Sequence, residues 1–173
     1  NGGDGYVAAR MLRERGALVR VAALAPPASD LAKAARAASH GEVEAIDENL
    51  VPAPVVVDAL FGVGLTRPLA DDLKRRLARF ADRRVLAVDV PSGVDADSRH
   101  DWEPALAANV TVALGALKPA HVLLPAAECC GTVQVAPIGI DAARVMQTLP
   151  LQAGSAPDAT SHKYNRGMVL VRG

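Results

Sequence analysis

The chain has 173 residues, 50% of them hydrophobic and only 3% aromatic, and its 19 basic residues balance its 19 acidic ones. That length and apolar share support one sizeable aliphatic core. Zero net charge without a like-signed block gives no electrostatic case for nucleic acid or an anionic membrane surface, and no apolar run approaches the roughly 20 residues of a membrane span.

The chain opens NGGDGYVAARMLRERG. The glycines read as a loop, and Tyr6 to Arg15, with Val7, Met11 and Leu12 near helical spacing, as a helix stopped by Gly16. A strand is expected just upstream of that loop. ALVRVAALAPP reads as a strand closed by two prolines, and SDLAKAARAASHG as a helix with Ser29 as N-cap and Gly41 as its stop. APVVVDALFG is a nearly unbroken apolar run with a turn signal at Gly62. LADDLKRRLARFADR is amphipathic, with Leu69, Leu73, Leu77 and Phe80 on one face. RVLAVDVPSG, NVTVALGA and GTVQVAPIGI read as three more strands.

These strands are continuous aliphatic runs, the pattern of strands covered by helices on both faces. Alternating with helices, they predict an α/β fold: a three-layer αβα Rossmann-like sandwich with a mostly parallel sheet. The stretch TLPLQAGSAPDATS is rich in small residues and proline, as linkers are. The expected division is a first domain over 1–148, a linker over 149–161, and the beginning of a second domain over 162–173. The adjacent Cys129 and Cys130 suit two small structural residues, since they have neither disulfide nor metal-ligand spacing, and they fit a cytoplasmic setting.

In such sheets ligands bind beyond the carboxyl ends of the strands, and three stretches fall there. In NGGDG, glycines admit a close ligand and the helix that follows offers free N–H groups to a phosphate. In VVVDALFGVGLTRP, Asp58 ends a buried run, where an isolated carboxylate is costly without a partner, and Arg67 is a candidate for holding a phosphate. In VLAVDVPSGVDAD, Asp89 ends another such run beside Ser92. Asp and Ser oxygens at equivalent strand ends suit a hard cation. Asp95 and Asp97 read as solvated turn residues. Lys118 is a candidate for the same rim, against the commoner reading of a surface lysine before a turn proline, and His121 is a candidate proton shuttle, against the commoner reading of a structural histidine without a paired carboxylate nearby in sequence.

Taken together, NGGDG, DALFGVGLTRP and DVPSGVDAD resemble, in order and spacing, the motifs of the NAD(P)H-hydrate epimerases, the YjeF N-terminal family, and TVALGALKPAH resembles the late strand of that family with its Lys-Pro. The likeness spans roughly residues 1–140. HKYNRGMVLVRG resembles the opening of the ADP- or ATP-dependent NAD(P)H-hydrate dehydratase that follows the epimerase in bifunctional repair proteins. The resemblance implies a substrate, NADHX or NADPHX, hydrated at C6 of the nicotinamide ring, and a reaction that interconverts its R and S epimers. It implies a potassium ion held by Asn1, Asp58 and Ser92. Substrate contacts map to Asn1, Gly2, Gly3 and Asp4, to Gly62, Val63, Gly64, Leu65, Thr66, Arg67 and Pro68, and to Asp89, which is the candidate general acid/base. ADP or ATP would serve only the dehydratase, and a homo-oligomer is compatible with the family.

Two other readings compete with this one. A module of the same fold that binds a nucleotide or another protein without turnover is disfavoured by the presence of all the motif acids. A Rossmann dehydrogenase calls for a ribose-binding acid roughly 20 residues after the glycines, where this chain has aliphatic residues, proline and serine, with Asp30 somewhat late.

Overall fold

A computed structural model describes residues 3–102, 104 and 106–139, which belong to one unit, Asn1–Ile140. The proposed linker and second domain lie outside the described residues, as do Asn1 and Gly2.

Helix α1 (Gly3–Glu14) is followed by strand β1 (Val21–Ala23), helix α2 (Asp30–Ala38), β2 (Val43–Ala45) and β3 (Val55–Asp58). Then come α3 (Asp71–Ala78), β4 (Arg84–Val88), β5 (Val110–Leu114) and β6 (Thr132–Ala136), with short 3-10 turns at Pro119–His121 and Ala126–Cys129 between the last two strands. Every strand pairing is parallel. In place of the single expected sheet the described residues form two, β1-β2 and β3-β4-β5-β6, because β1 and β3 are not hydrogen-bonded to each other. The parallel pairing and the helical crossovers give the α/β architecture expected from the sequence.

Helix α1 begins earlier than its periodicity suggests: Gly3, Asp4 and Gly5 form its first turn rather than a loop. The apolar stripe also lies elsewhere. Tyr6 and Ala9 are buried, while Val7, Met11 and Leu12 stay open to solvent, because α1 packs on α2 through small residues such as Ala9 and Ala32. A Cβ at Gly5 would lie 3.0 Å from Cβ of Ala59, so the second glycine of the pair permits close approach to the segment after β3. The Ser29 cap forms as expected, its hydroxyl accepting the Ala32 N–H at 3.2 Å.

The main core sits between α3 and the strands. Leu69, Leu77, Phe80, Val85, Ala87 and Leu106 are buried there, with Leu73 packed against them, which is the face expected from sequence. The expectation that helices cover both faces holds only in part. Val55 and Val57 of β3 and Val135 of β6 remain exposed among the described residues.

Candidate functional site

The pairing of β3 with β4 aligns Asp58 with Ala87, so Asp58 and Asp89 leave neighbouring parallel strands at the same, carboxyl end. Strand ends are where main-chain groups run out of ladder partners: the Asp58 carboxylate accepts N–H groups of the turns after β3 and β4, and the Asp89 carboxylate accepts that of Leu114 at the end of β5.

Asp58 is 3% exposed. One carboxylate oxygen accepts the Ser92 hydroxyl at 2.5 Å and the Leu60 N–H at 3.4 Å, and the other accepts the Ser92 N–H at 2.8 Å. The Ser92 hydroxyl in turn accepts the Phe61 N–H at 3.1 Å. This network ties the turn after β3 to the turn after β4. Burial raises the Asp58 pKa above the usual carboxylate range, against the opposing pull of the Ser92 hydroxyl and the Ser92 and Leu60 N–H groups. No Lys, Arg or His among the described residues forms an ion pair with it. A carboxylate has about four acceptor sites and three are filled, so Asp58 and Ser92 present oxygen without a compensating charge. That donor set suits a hard cation. Nothing can be added from Asn1, which lies outside the described residues. Among those residues, no group of three or more His, Cys, Asp and Glu side chains is placed to hold a metal ion.

Asp89 adopts φ 72°, a left-handed conformation uncommon for a residue with a Cβ. Such strain persists where the surroundings over-determine it. Here the Asp89 N–H donates to the Val112 carbonyl at 2.8 Å, extending the β4–β5 ladder. The Asp89 carbonyl lies 2.7 Å from Nε2 of His121. Its Oδ1 accepts the Leu114 N–H at 3.1 Å and pairs with the Lys118 ammonium. Its Oδ2 faces Gly62, where an added Cβ would lie 3.4 Å away.

A cavity of about 240 Å³ opens at this point, lined by Asp4, Ala59, Phe61, Gly62, Val63, Gly64, Val88 and Asp89. The structure thus brings Asp4, Gly62, Val63, Gly64 and Asp89 together around one space. Gly3 packs against Ala32 instead, and Leu65 packs on the core. Thr66, Arg67 and Pro68 are exposed and do not line the cavity.

Two residues lie elsewhere than their commonest sequence reading puts them. Lys118 is not a surface lysine: its side chain is 18% exposed and paired with Asp89. Asp95 is not solvated but buried, because it accepts the N–H groups of Asp97, Arg99 and His100 and pairs with the His100 ring at 2.8 Å. Burial works against the charge of Asp95, yet these donors together hold its pKa below the ordinary value. His121 is structural as expected, but its role is now specific. Its Nδ1 accepts the Lys118 N–H at 2.9 Å, which leaves Nε2–H to donate to the Asp89 carbonyl. Of the two cysteines, both expected to be buried, Cys130 is, and burial with the neighbouring Cys129 pushes its thiol up to about 11, whereas Cys129 is only half-buried.

The imidazole of His121 is held neutral, since burial, aided by the Lys118 cation, lowers its pKa despite the bond to the Asp89 carbonyl. In the unfolded chain a histidine titrates near 6.5. Below that pH the unfolded state binds a proton that the folded state refuses. Stability is therefore complete above about pH 6.5 and is lost as pH falls through it. His121→Gln, which keeps a donor and an acceptor without titrating, is expected to show a smaller drop in melting temperature between about pH 7 and 5. Parallel curves for the two proteins would remove His121 as a source of acid sensitivity.

With this geometry in place, the chain can be set beside known proteins. Residues 1–120 match the family model described as "YjeF-related protein N-terminus". The chain is 44% identical over 154 residues to "NAD(P)H-hydrate epimerase" of Rhodobacter capsulatus, covering 81% of this chain and 69% of that protein. It is 36% identical over 150 residues to "Bifunctional NAD(P)H-hydrate repair enzyme Nnr" of Thermofilum pendens, covering 78% of this chain but only 29% of the relative. The crystal structure of yeast YNL200c superposes with a TM-score of 0.56 at 24% identity, over 68% of this chain and 55% of that one, which shows a shared fold. No helix among the described residues is long and apolar enough to cross a membrane.

Proposed function

The chain belongs to the YjeF-related N-terminal family, and from that premise we propose that it is an isomerase that interconverts the R and S epimers of hydrated NADH and NADPH at C6 of the nicotinamide ring. The observation that carries this reading is the Asp89 carboxylate: one oxygen is fixed by Leu114 and Lys118, and the other faces a cavity bordered by glycines. A site that only bound a nucleotide would have no need of an acid in a strained conformation at its wall. The volume suits one ring and its sugar better than a whole dinucleotide, which needs more than a drug-sized pocket. The rest of the substrate would extend along the first turn of α1, whose free N–H groups favour a phosphate, and past the exposed Arg67.

The substrate carbon carries a hydroxyl and is bonded to the ring nitrogen. Asp89 takes the hydroxyl proton on Oδ2. The O–H electrons form a C6 carbonyl while the C6–N1 bond breaks and leaves its electron pair on N1. After rotation, N1 attacks the opposite face of the carbonyl, and Asp89 returns the proton to the new hydroxyl oxygen. Atoms and charge balance, and the base is regenerated. The test supplies pure R epimer and follows the S epimer chromatographically; conversion no faster than the spontaneous rate would sink the reading.

Asp58 and Ser92, completed by Asn1, would hold potassium. When bound, the ion supplies positive charge beside the loops that embrace the substrate. The residues themselves tie the two loops together through the bonds given above. Potassium added at constant ionic strength is expected to raise the melting temperature. Each tenfold increase above the dissociation constant adds about 1.4 kcal/mol, roughly 3 to 6 °C for a chain of this size. Asp58→Asn should abolish that rise, and an equal response to choline would remove the potassium assignment. In longer relatives a second activity is expected beyond residue 161: dehydration of the S epimer with ADP or ATP. The present chain would supply the epimerase part, and protease cleavage of the longer protein between residues 149 and 161 is the check on that boundary.

A further inference from the structure

We propose that Lys118 is the positioning residue of this site: its ammonium group, acting through Asp89, selects Oδ2 as the oxygen that meets the substrate. The proposal rests on the reading of Asp89 as the base. Nothing in the three motif stretches points to Lys118, which lies beyond β5 and does not line the cavity.

The argument begins with an asymmetry. Both donors that the structure gives to the Asp89 carboxylate, Lys118 Nζ and the Leu114 N–H, fall on Oδ1. No hydrogen bond to Oδ2 is made among the described residues, and that oxygen faces Gly62 at the cavity wall. Oδ1 is thus held by protein donors, and Oδ2 is the oxygen turned toward the cavity. Lys118 is itself fixed at three points. Its Nζ also donates to the Leu114 carbonyl at 2.7 Å, its main-chain N–H is held by His121, and Pro119 follows it. Lysine is rarely this buried without a partner, and its flexible stem loses rotamer freedom in being held. The same histidine that orients the lysine backbone grips the Asp89 carbonyl. Lys118, His121 and Leu114 therefore form a three-point mount for one residue, holding both its main chain and one carboxylate oxygen. The other carboxylates at the site, Asp4 on α1 and Asp58 at the end of β3, form no hydrogen bond or ion pair with Asp89 or Lys118 among the described residues.

The chemical consequence concerns orientation. A carboxylate free to rotate about its own bond presents either oxygen at a range of angles, whereas one anchored through Oδ1 presents a single lone-pair direction. Misplacement of a reacting group by about 1 Å costs on the order of 100-fold. Removing Lys118 should therefore lower kcat and leave KM nearly unchanged, since the lysine touches no substrate.

The experiment uses the intact protein. Lys118→Ala should epimerise about 10- to 100-fold more slowly with KM within about threefold. Ethylammonium, which restores a charged N–H donor in the vacated space, should recover part of that rate at constant ionic strength. Tetramethylammonium, which carries the charge without a donor, should not. Because Lys118 acts through Asp89, adding Lys118→Ala to Asp89→Asn should cost little more than Asp89→Asn alone. Lys118→Met, which keeps the apolar stem, replaces the alanine variant if that does not fold. Wild-type activity in the variant, full additivity with Asp89→Asn, or failure of both variants to fold would each overturn the proposal; the last would mark the pair as structural. If the wild-type protein itself does not epimerise, the functional reading falls and this proposal falls with it.

Discussion

Asp89→Asn is expected to slow epimerisation by about 100- to 10,000-fold, the usual worth of a positioned acid or base, and to cost about 1 to 3 kcal/mol of stability, because the largely buried Lys118 is left with a neutral partner. The amide has the same shape as the carboxylate, and its oxygen can still accept the Leu114 N–H and the Lys118 ammonium. Asparagine also tolerates the left-handed conformation that Asp89 adopts at φ 72°. What changes is the group that faces the cavity: a carboxylate oxygen able to take a proton becomes an NH₂ that cannot. The lysine left behind keeps its bond to the Leu114 carbonyl, which limits the cost of losing its charged partner but does not remove it. The measurement is S-epimer formation from pure R epimer by both proteins, with the spontaneous rate subtracted, beside a thermal melt of each. If the variant keeps the wild-type rate, the base is elsewhere, and Asp4, the other carboxylate at the cavity wall, becomes the candidate.

What the sequence made legible and what it hid follow from the same physics. The ends of β3 and β4 could be placed from VVVD and VLAVD because a carboxylate closing an aliphatic run can only sit where the strand meets a polar region. The turn sequences after them, with Gly62, Gly64 and Ser92, pointed to a shared polar site of Asp58, Asp89 and Ser92; the structure bonds Asp58 to Ser92, and the Phe61 N–H that joins them was not among the residues singled out. Lys118 and His121 stood out as candidates, but their partner was hidden for the complementary reason. They are 29 and 32 residues from Asp89, and a lysine before a proline has no local feature that decides between the site rim and the surface. Parallel strands place chain-distant residues side by side through crossovers, and only the pairing of β4 with β5 decides which they are.

Helix α1 shows a second limit. Its pattern offered Val7, Met11 and Leu12 as the buried face, yet the structure turns Tyr6 and Ala9 inward. Periodicity reports where apolar side chains lie on a helix, not which stripe finds a partner. Here the partner is the small-residue surface of α2, and close approach takes precedence over side-chain size. The glycines of the first turn follow the same logic at Gly5, where contact with Ala59 rather than an unusual φ limits the side chain.

Gly131→Ala is expected to destabilise the fold by about 2 to 5 kcal/mol and to leave the activity of folded molecules unchanged. Gly131 has φ 58°, and an added Cβ would lie 2.3 Å from the Ala108 carbonyl oxygen and 2.4 Å from that of Asn109. The left-handed conformation alone costs a residue with a Cβ about 1 to 2 kcal/mol, and forcing atoms into a filled space adds about 1 to 3 kcal/mol. Neither carbonyl can move aside cheaply. The Asn109 oxygen accepts the Thr132 N–H at 3.0 Å, and the same residue holds both the N–H and the carbonyl of Val85, through its side-chain oxygen at 2.7 Å and its own N–H at 2.8 Å. Asn109 thus joins the amino-terminal ends of β4, β5 and β6, and pushing it strains all three. The catalytic groups stand at the other end of those strands. At about 3.3 Å per residue, the length of β5 places Leu114 roughly 16 Å from this junction, so the bend and the base are separated by a packed ladder. Urea unfolding should show a lower midpoint with an unchanged slope. Epimerisation measured well below the melting temperature should match the wild type per folded molecule. An unchanged midpoint would mean that the chain does not approach itself at Gly131 as described. A slower rate in fully folded protein would mean that strain at the amino-terminal ends reaches Asp89 along β5.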